Sequence, residues 1–324
     1  VIFPIVSRIG GKSTGESQQV QADAEQTADP TAAQRQPLKG QSDLTKVSTL
    51  TPGWHEDDNG RWYQNADGTY YTGGFAEIDG VTYAFDDNGY MQTGWVTKGS
   101  QDYYFNDDGS YNASEKRPMI ALTFDDGPGG YTGFVDNGMK IQKALTAAGA
   151  HATFFYIGAH IEHDEDSRNE VLAAKEAGFE VANHSYDSNG LNSVGPEVIK
   201  EKIAKTDALL SEITGYKHFL FRAPNVAYSQ AMYAVIEKPF IHVSIWSQDY
   251  QDKTTKDDLV NNVINNLKDG GIINMHSVHD KTAEAVPEIL EQCKDKGYQV
   301  VSVSELFAIK GKKLMTGVKY DNAE

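Results

Sequence analysis

The amino-acid sequence predicts an α/β protein: a deformed (β/α)7-8 barrel preceded by a small β-hairpin solenoid and a flexible N-terminal segment. Three observations carry this. Beyond Arg117, apolar strand-like runs alternate with helix-patterned stretches, the signature of parallel strands joined by right-handed crossovers. Between residues 51 and 112, Gly-aromatic pairs and Asx-Gly turns recur at intervals of 21 and 20 residues. Before them, residues 1–50 hold almost no aromatic side chains and are rich in Gln, Ala, Ser, Thr and Asp. The predicted division is a linker over 1–50, hairpin repeats over 51–112, a barrel over 113–310 and a tail over 311–324.

The N-terminal stretch buries too little apolar surface to offset the entropy of ordering it. Val1–Val6 is apolar but too short to assign, whether as the end of a removed leader or as an arbitrary boundary. Over the 324 residues, 29 Lys and Arg face 46 Asp and Glu, a formal net charge of −17. That balance argues against non-specific nucleic-acid binding and against attraction to anionic lipid. No apolar run approaches the roughly 20 residues that span a bilayer. The single Cys293 excludes an intramolecular disulfide and a Cys-rich zinc cluster. No oligomeric state is predicted.

In the repeats, Gly53-Trp54, Gly74-Phe75 and Gly94-Trp95 run in register with Trp62, Tyr83 and Tyr103, then with Asp67-Gly68, Asn88-Gly89 and Asp108-Gly109. Asx-Gly between aromatic strands is hairpin chemistry, because both residues tolerate positive φ. The pattern, clearest in Tyr90-Met91-Gln92-Thr93-Gly94-Trp95, resembles the cell-wall-binding repeats of choline-binding and glucan-binding proteins. The resemblance implies attachment to a wall polymer, with Trp54, Trp62, Met91 and Trp95 as candidates for an aromatic cage. Solenoid core packing is the alternative role for each ring, and Phe75 and Tyr83 stand where Trp is expected.

Seven barrel strands are predicted: Met119–Phe124, Ala152–Ile157, Phe179–Asn183, Phe219–Phe221, Ile241–Trp246, Gly271–Met275 and Gln299–Val303. The clearest helices are Pro196–Ile213, Asp257–Lys268 and Ala283–Lys296. Polar residues gather at the strand ends: Asp125-Asp126, His184, Arg222, Asp249 with Asp252, and His276. In a β/α barrel these ends converge on the face where active sites are built. Any one of them could be a cap or turn former. Five ends together predict a catalytic face.

Thr123-Phe124-Asp125-Asp126-Gly127-Pro128, Asn183-His184-Ser185, Phe221-Arg222-Ala223-Pro224, Trp246-Ser247-Gln248-Asp249 and Ile272-Ile273-Asn274-Met275-His276 resemble, in order, the five motifs of the polysaccharide deacetylases with a NodB homology domain, carbohydrate esterase family 4. The resemblance covers about residues 117–307. It implies metal-dependent hydrolysis of N- or O-acetyl groups on a polysaccharide, peptidoglycan N-acetylglucosamine first. Acetylxylan, or an inactive carbohydrate-binding protein of the same fold, are the alternatives. By position, Asp125 matches the general base, Asp126 and His184 metal ligands, Arg222 the residue holding the base, and His276 the general acid. Asp249 or Asp252 would pair with His276. The implied cofactor is a divalent metal, zinc, with cobalt, nickel or manganese as alternatives. The implied setting is a secreted or surface protein of a Gram-positive wall, partnered by polysaccharide substrate and wall polymer.

Four positions depart from the family pattern. The second metal histidine is replaced by Ser188, leaving Asp187, Ser188 itself or water to fill that corner. Asn225 stands where the third motif has Tyr. Tyr250 or Lys253 follows the fourth-motif aspartate, and Asn274 replaces a leucine before His276, making the acetyl pocket more polar. Asn225, Tyr250 and Asn274 are the expected substrate contacts. His279 is read as a loop residue, and His160 and His163 as surface.

Overall fold

The computed structural model describes residues 33–37, 51–99, 101–129 and 135–324. Three antiparallel pairs organise the repeat region: Gly53–Asp57 with Gly60–Gln64, Gly74–Ile78 with Val81–Phe85, and Gly94–Lys98 with Gln101–Phe105. The Asx-Gly turns then lead each pair onward, and their glycines take positive φ of 82°, 92° and 85° at Gly68, Gly89 and Gly109. The aspartate of the turn fixes it: Asp86 Oδ1 accepts the N–H groups of Asn88 and Tyr90 at 2.8 and 2.9 Å. Gly109 is required for a second reason, since a Cβ there would lie 2.1 Å from Met91 Sδ.

Most of the expected linker 1–50 lies outside the described residues. Within it, Gln34–Pro37 forms a strand antiparallel to Thr69–Thr72, so this part of the linker is an edge of the first repeat sheet. The third hairpin also touches the barrel. Arg117 lies 4.7 Å from the centre of the Trp95 ring and pairs with Asp102 at 2.7 Å, and the Asp102 N–H donates to Gln299 Oε1 at 2.5 Å.

The barrel is built around the strand Met119–Gly127. It pairs in parallel with Thr153–Tyr156, Gly271–His276 and, at its start, Gln299–Val301, while Thr153–Tyr156 pairs with Glu180–Asn183. Alternation along the strand separates two cores. Ile120, Leu122 and Phe124 face the helices and pack with Ile141, Leu145 and Val286. Met119 and Ala121 face inward with Phe155, Ala182, Ile272 and Val301. The inward register continues through Thr123 to Asp125, whose neighbours on the adjacent strand are Asn274 and His276. The strand period therefore lifts a carboxylate to the top of an otherwise apolar interior.

Three sequence expectations need correction. Phe219–Phe221 is not a strand; Phe221 alone bridges Asn183 and Phe240. The expected strand Ile241–Trp246 is broken into Phe240–Ile241 and Ile245–Trp246. The break falls where the Arg222 side chain donates to the carbonyls of Ile241 and His242, each at 3.1 Å, and draws them away from a ladder. Finally, 311–324 is no loose tail. Lys319–Tyr320 pairs in parallel with Phe240–Ile241, Tyr320 packs edge-on against Phe307, and the buried Ala323 donates its N–H to Gly270 O at 2.8 Å. The result is the deformed α/β barrel that the strand–helix alternation predicts.

The outer layer holds Val135–Ala148, Glu165–Glu176, Pro196–Thr214, Lys256–Ile264 and Asp280–Asp295, while Val303–Ile309 packs Val303, Leu306 and Phe307 on the inward core. Capping boxes at Thr255/Asp258 and Ser302/Glu305 start two of these helices by satisfying their first N–H groups. Among the described residues no helix is long and apolar enough to cross a membrane.

Candidate active site

The strand ends open into a cavity of about 560 Å³ lined by Asp125, Asp126, His184, Ser188, Asn225, Trp246, Tyr250, Asn274, His276 and His279, among others. Backbone strain concentrates here. Of six described non-glycine residues at positive φ, five (Asp126, Ser185, Asn225, Val226 and Gln248) lie at these strand ends. Left-handed backbone is costly for a residue with a Cβ, above all for the β-branched Val226, and persists where surrounding structure enforces it.

Asp125, only 1% exposed, is gripped from both sides. Arg222 Nη1 donates to Oδ1 at 2.8 Å and Asn274 Nδ2 donates to Oδ2 at 2.8 Å. Arg222 is fully buried and also donates to Thr123 Oγ1 at 2.7 Å. A buried guanidinium this well satisfied fixes the direction of the carboxylate and supplies its counter-charge. Asn274, expected as a pocket contact, thus also holds the carboxylate.

On the adjacent strand, His276 Nδ1 lies 2.7 Å from Asp249 Oδ1, while Asp249 Oδ2 accepts the His276 N–H and the Thr282 hydroxyl, each at 2.7 Å. A carboxylate accepts, so Nδ1 donates and Nε2 is the nitrogen left for substrate. Burial opposes charge on His276, but Asp249, with Asp125 and Asp126, outweighs it and lifts the pKa to about 9. Burial likewise opposes the Asp249 anion, and the His276 contact overrides it and holds its pKa below the usual range. Of the two candidate aspartates, Asp249 makes this contact; Asp252 sits exposed in the following turn.

Asp126 and His184 form the third corner. His184 Nδ1 donates to Arg222 O at 2.8 Å, so its Nε2 lone pair faces Asp126 Oδ1 at 3.4 Å and Asp125 Oδ2 at 3.9 Å. Asp125 Oδ2 is already taken by Asn274, which leaves Asp126 and His184 facing each other, and a carboxylate oxygen with an imidazole nitrogen is a fitting donor pair for a divalent metal. The electrostatics agree. Burial opposes protonation of His184, yet Asp125 and Asp126 raise its pKa, and Asp126 is held down to about 2 against its own burial, chiefly by His184.

Among the described residues no third His, Cys, Asp or Glu completes a ligand cluster. Asp187 is engaged elsewhere, both oxygens accepting from Lys202 Nζ at 2.7 and 2.8 Å. Ser188 does line the cavity, but on a bend instead of a helical turn, because the chain swings away at Ser185. Asn225 and Tyr250 line the cavity, and Trp246, 39% exposed, joins them.

Sequence reasoning missed three groups. His160 is half-buried, and its Nδ1 lies 2.7 Å from Asp126 O. His279 stands on the cavity wall with its ring centre 5.6 Å from that of His276, and burial lowers its pKa. Glu170, fully buried, accepts the Gly129 N–H at 3.1 Å, and burial pushes its pKa up to about 7. The strand-end rule would have flagged His160, four residues beyond Tyr156. Glu170 sits mid-helix and leaves no such signal. His163, by contrast, is exposed as expected.

In the repeats, Trp54 is covered by Arg61 at 4.9 Å and Trp95 by Arg117 at 4.7 Å, while Trp62 stacks on His55 at 4.5 Å. These rings, and Met91 against Gly109, have packing partners within the chain.

A barrel whose strand ends carry a held carboxylate, an Asp-supported histidine and an Asp–His corner describes a hydrolase-like site, and comparison with known proteins gives it a family. The polysaccharide deacetylase family model matches residues 112–239. A peptidoglycan-N-acetylglucosamine deacetylase of Bacillus cereus is 31% identical over 231 residues, 68% of this chain and 78% of that protein. A bifunctional xylanase/deacetylase of Pseudobutyrivibrio xylanivorans is 33% identical over 218 residues, 67% of this chain and 34% of that protein. The chain spans about a third to two fifths of the length of several curated relatives. Among solved structures, the Xyl-CE4 domain of a multidomain xylanase from the hindgut metagenome of Trinervitermes trinervoides matches with TM-score 0.59 and 31% identity, covering 64% of this chain and 98% of that one. A family 4 acetyl xylan esterase from Clostridium thermocellum in complex with cobalt matches with TM-score 0.58 and 28% identity, covering 63% and 98%. The chain belongs to the polysaccharide deacetylase family.

Proposed function

We propose that this chain is a divalent-metal-dependent deacetylase of an acetylated polysaccharide, with peptidoglycan N-acetylglucosamine as its first substrate. The observation that carries this is the pairing of Asp125 and His276 side by side at the strand ends. They are register partners on adjacent strands, each with its own buried partner of opposite charge.

Asp126 and His184 would hold the cation, with water completing its shell. Bound there, a divalent ion polarises an acetyl carbonyl and lowers the pKa of water. Asp125, aimed by Arg222 and Asn274, accepts a proton from the attacking water. His276, charged at neutral pH because of Asp249, delivers its Nε2 proton to the departing amine or alkoxide. The exposed faces of Trp246 and Tyr250 at the cavity mouth offer stacking surfaces for sugar rings.

O-acetylated xylan is the second reading, favoured by the xylan-associated relatives and structural neighbours. Acetate release measured side by side on peptidoglycan, chitooligosaccharide and acetylxylan separates the two. Faster turnover of acetylxylan would reverse the order proposed, and no release from any would leave a carbohydrate-binding protein.

For residues 51–112 we infer a stacked hairpin repeat that attaches the enzyme to wall polymer, giving a secreted, wall-associated protein. Aromatic density supports this, with Trp54 and Trp62 packed on residues of the repeats themselves. If residues 113–324 alone sediment with purified walls as well as the full chain, this role is lost.

A further inference from the structure

We infer that His160 is a positioning residue for the candidate cation corner, holding Asp126 through its main-chain carbonyl and so setting the Asp126–His184 separation. The inference rests on the metal reading above.

His160 lies on the short helix Gly158–Ile161, which follows the strand Thr153–Tyr156. This segment touches both loops of the corner. The Ile157 N–H donates to Gly127 O at 2.9 Å, one residue past Asp126. The Gly158 and Ala159 N–H groups donate to Ser185 O at 3.0 Å and Tyr186 O at 2.7 Å, just past His184. Residues 157–159 therefore tie the two loops together by main-chain bonds. His160 adds the side-chain bond. Asp126 O is a carbonyl and can only accept, so His160 Nδ1 donates across the 2.7 Å.

What this bond holds is a strained residue. Asp126 has φ of 69°, in the left-handed region that a residue with a Cβ avoids. The same conformation turns its carboxylate toward His184 Nε2 at 3.4 Å. With Ser188 where a second imidazole would stand, the corner has only two strong protein donors. The direction of each then weighs more, and partners that orient metal ligands typically govern affinity by about 10- to 100-fold.

The test is cation binding, read without turnover. Zn²⁺ or Co²⁺ is titrated against a chromophoric competing chelator, using the full chain and three variants. His160→Asn places an amide nitrogen where Nδ1 was and keeps the donor. His160→Gln places it near the position of Nε2, and His160→Ala removes both. We expect Asn to bind within about threefold of the parent chain, and Gln and Ala to bind about tenfold or more weakly. Asn as weak as Ala would overturn the inference, since the ring would then act through its other nitrogen or its bulk. Ala as tight as the parent would overturn it too. If His160→Ala fails to fold, the Asn and Gln comparison decides alone. Asp126→Ala runs alongside: if it binds like the parent, the corner is not the cation site and the metal reading fails. If it loses the cation while His160→Ala does not, only the positioning role fails.

Discussion

The Arg222 guanidinium and the Asp125 carboxylate meet at 2.8 Å with neither side chain more than 2% exposed. Burying both charges is tolerable because every polar contact on each is made within the barrel, and losing either partner strands the other. The first prediction concerns the carboxylate alone. Asp125→Asn keeps the shape and one acceptor oxygen for the two donors but cannot take a proton. Acetate release should fall by about 10²-fold or more, while cation affinity stays within a few-fold of the parent. Activity within a few-fold of the parent would remove Asp125 as the base.

A second prediction follows from the Asp249–His276 pair. His276 must carry its proton to act as an acid, and its pKa near 9 places the loss of activity at alkaline pH. Asp249→Asn removes the anion that lifts this pKa. The alkaline limb of kcat/KM should move down by about one unit or more, toward the ordinary histidine range. An unmoved limb would mean that another group sets it.

Glu170 gives a stability test with a definite sign. Its pKa rises from 4.5 in the unfolded chain to about 7 in the folded one. The folded state therefore binds more protons across that window, and stability falls as pH rises through it. Glu170→Gln abolishes the titration. Compared with the parent, the variant should gain on the order of 1–3 kcal/mol in urea unfolding between pH 5 and pH 8. A difference independent of pH would show that the carboxyl does not titrate there.

Ser188 faces the cavity without serving as a strong ligand. Ser188→His brings an imidazole to the corner that Asp126 and His184 share, and zinc affinity should rise by about tenfold, or 1.4 kcal/mol. The bend at residues 186–189 tests whether the new ring can reach. Equal affinity in competition with a chelator would show that it cannot.

The alternation of apolar runs and helical patterns made the barrel legible, and the strand-end rule found Asp125, His184, Arg222, Asp249 and His276 because each lies at or just past the end of a strand or its remnant. What escaped depends on contacts far apart in sequence. The Ile241–Trp246 strand reads as continuous, and only Arg222, nineteen residues before Ile241, shows why it breaks. Tyr320 and Ala323 look like a tail until the partners Ile241 and Gly270 are known. Asn274 reads as a polar pocket residue, yet its amide is 2.8 Å from a carboxylate 149 positions away. Trp54 and Trp95 carry the repeat pattern, but the sequence does not say that arginines cover them.

The most direct test of a metal-dependent deacetylase is acetate release from N-acetylglucosamine oligomers, followed before chelation, after it, and after Zn²⁺ or Co²⁺ is returned, with Asp126→Ala in parallel. Release should stop on chelation, recover with the metal, and be absent in the variant. Undiminished release from the fully chelated protein would contradict the role assigned to the Asp126–His184 corner.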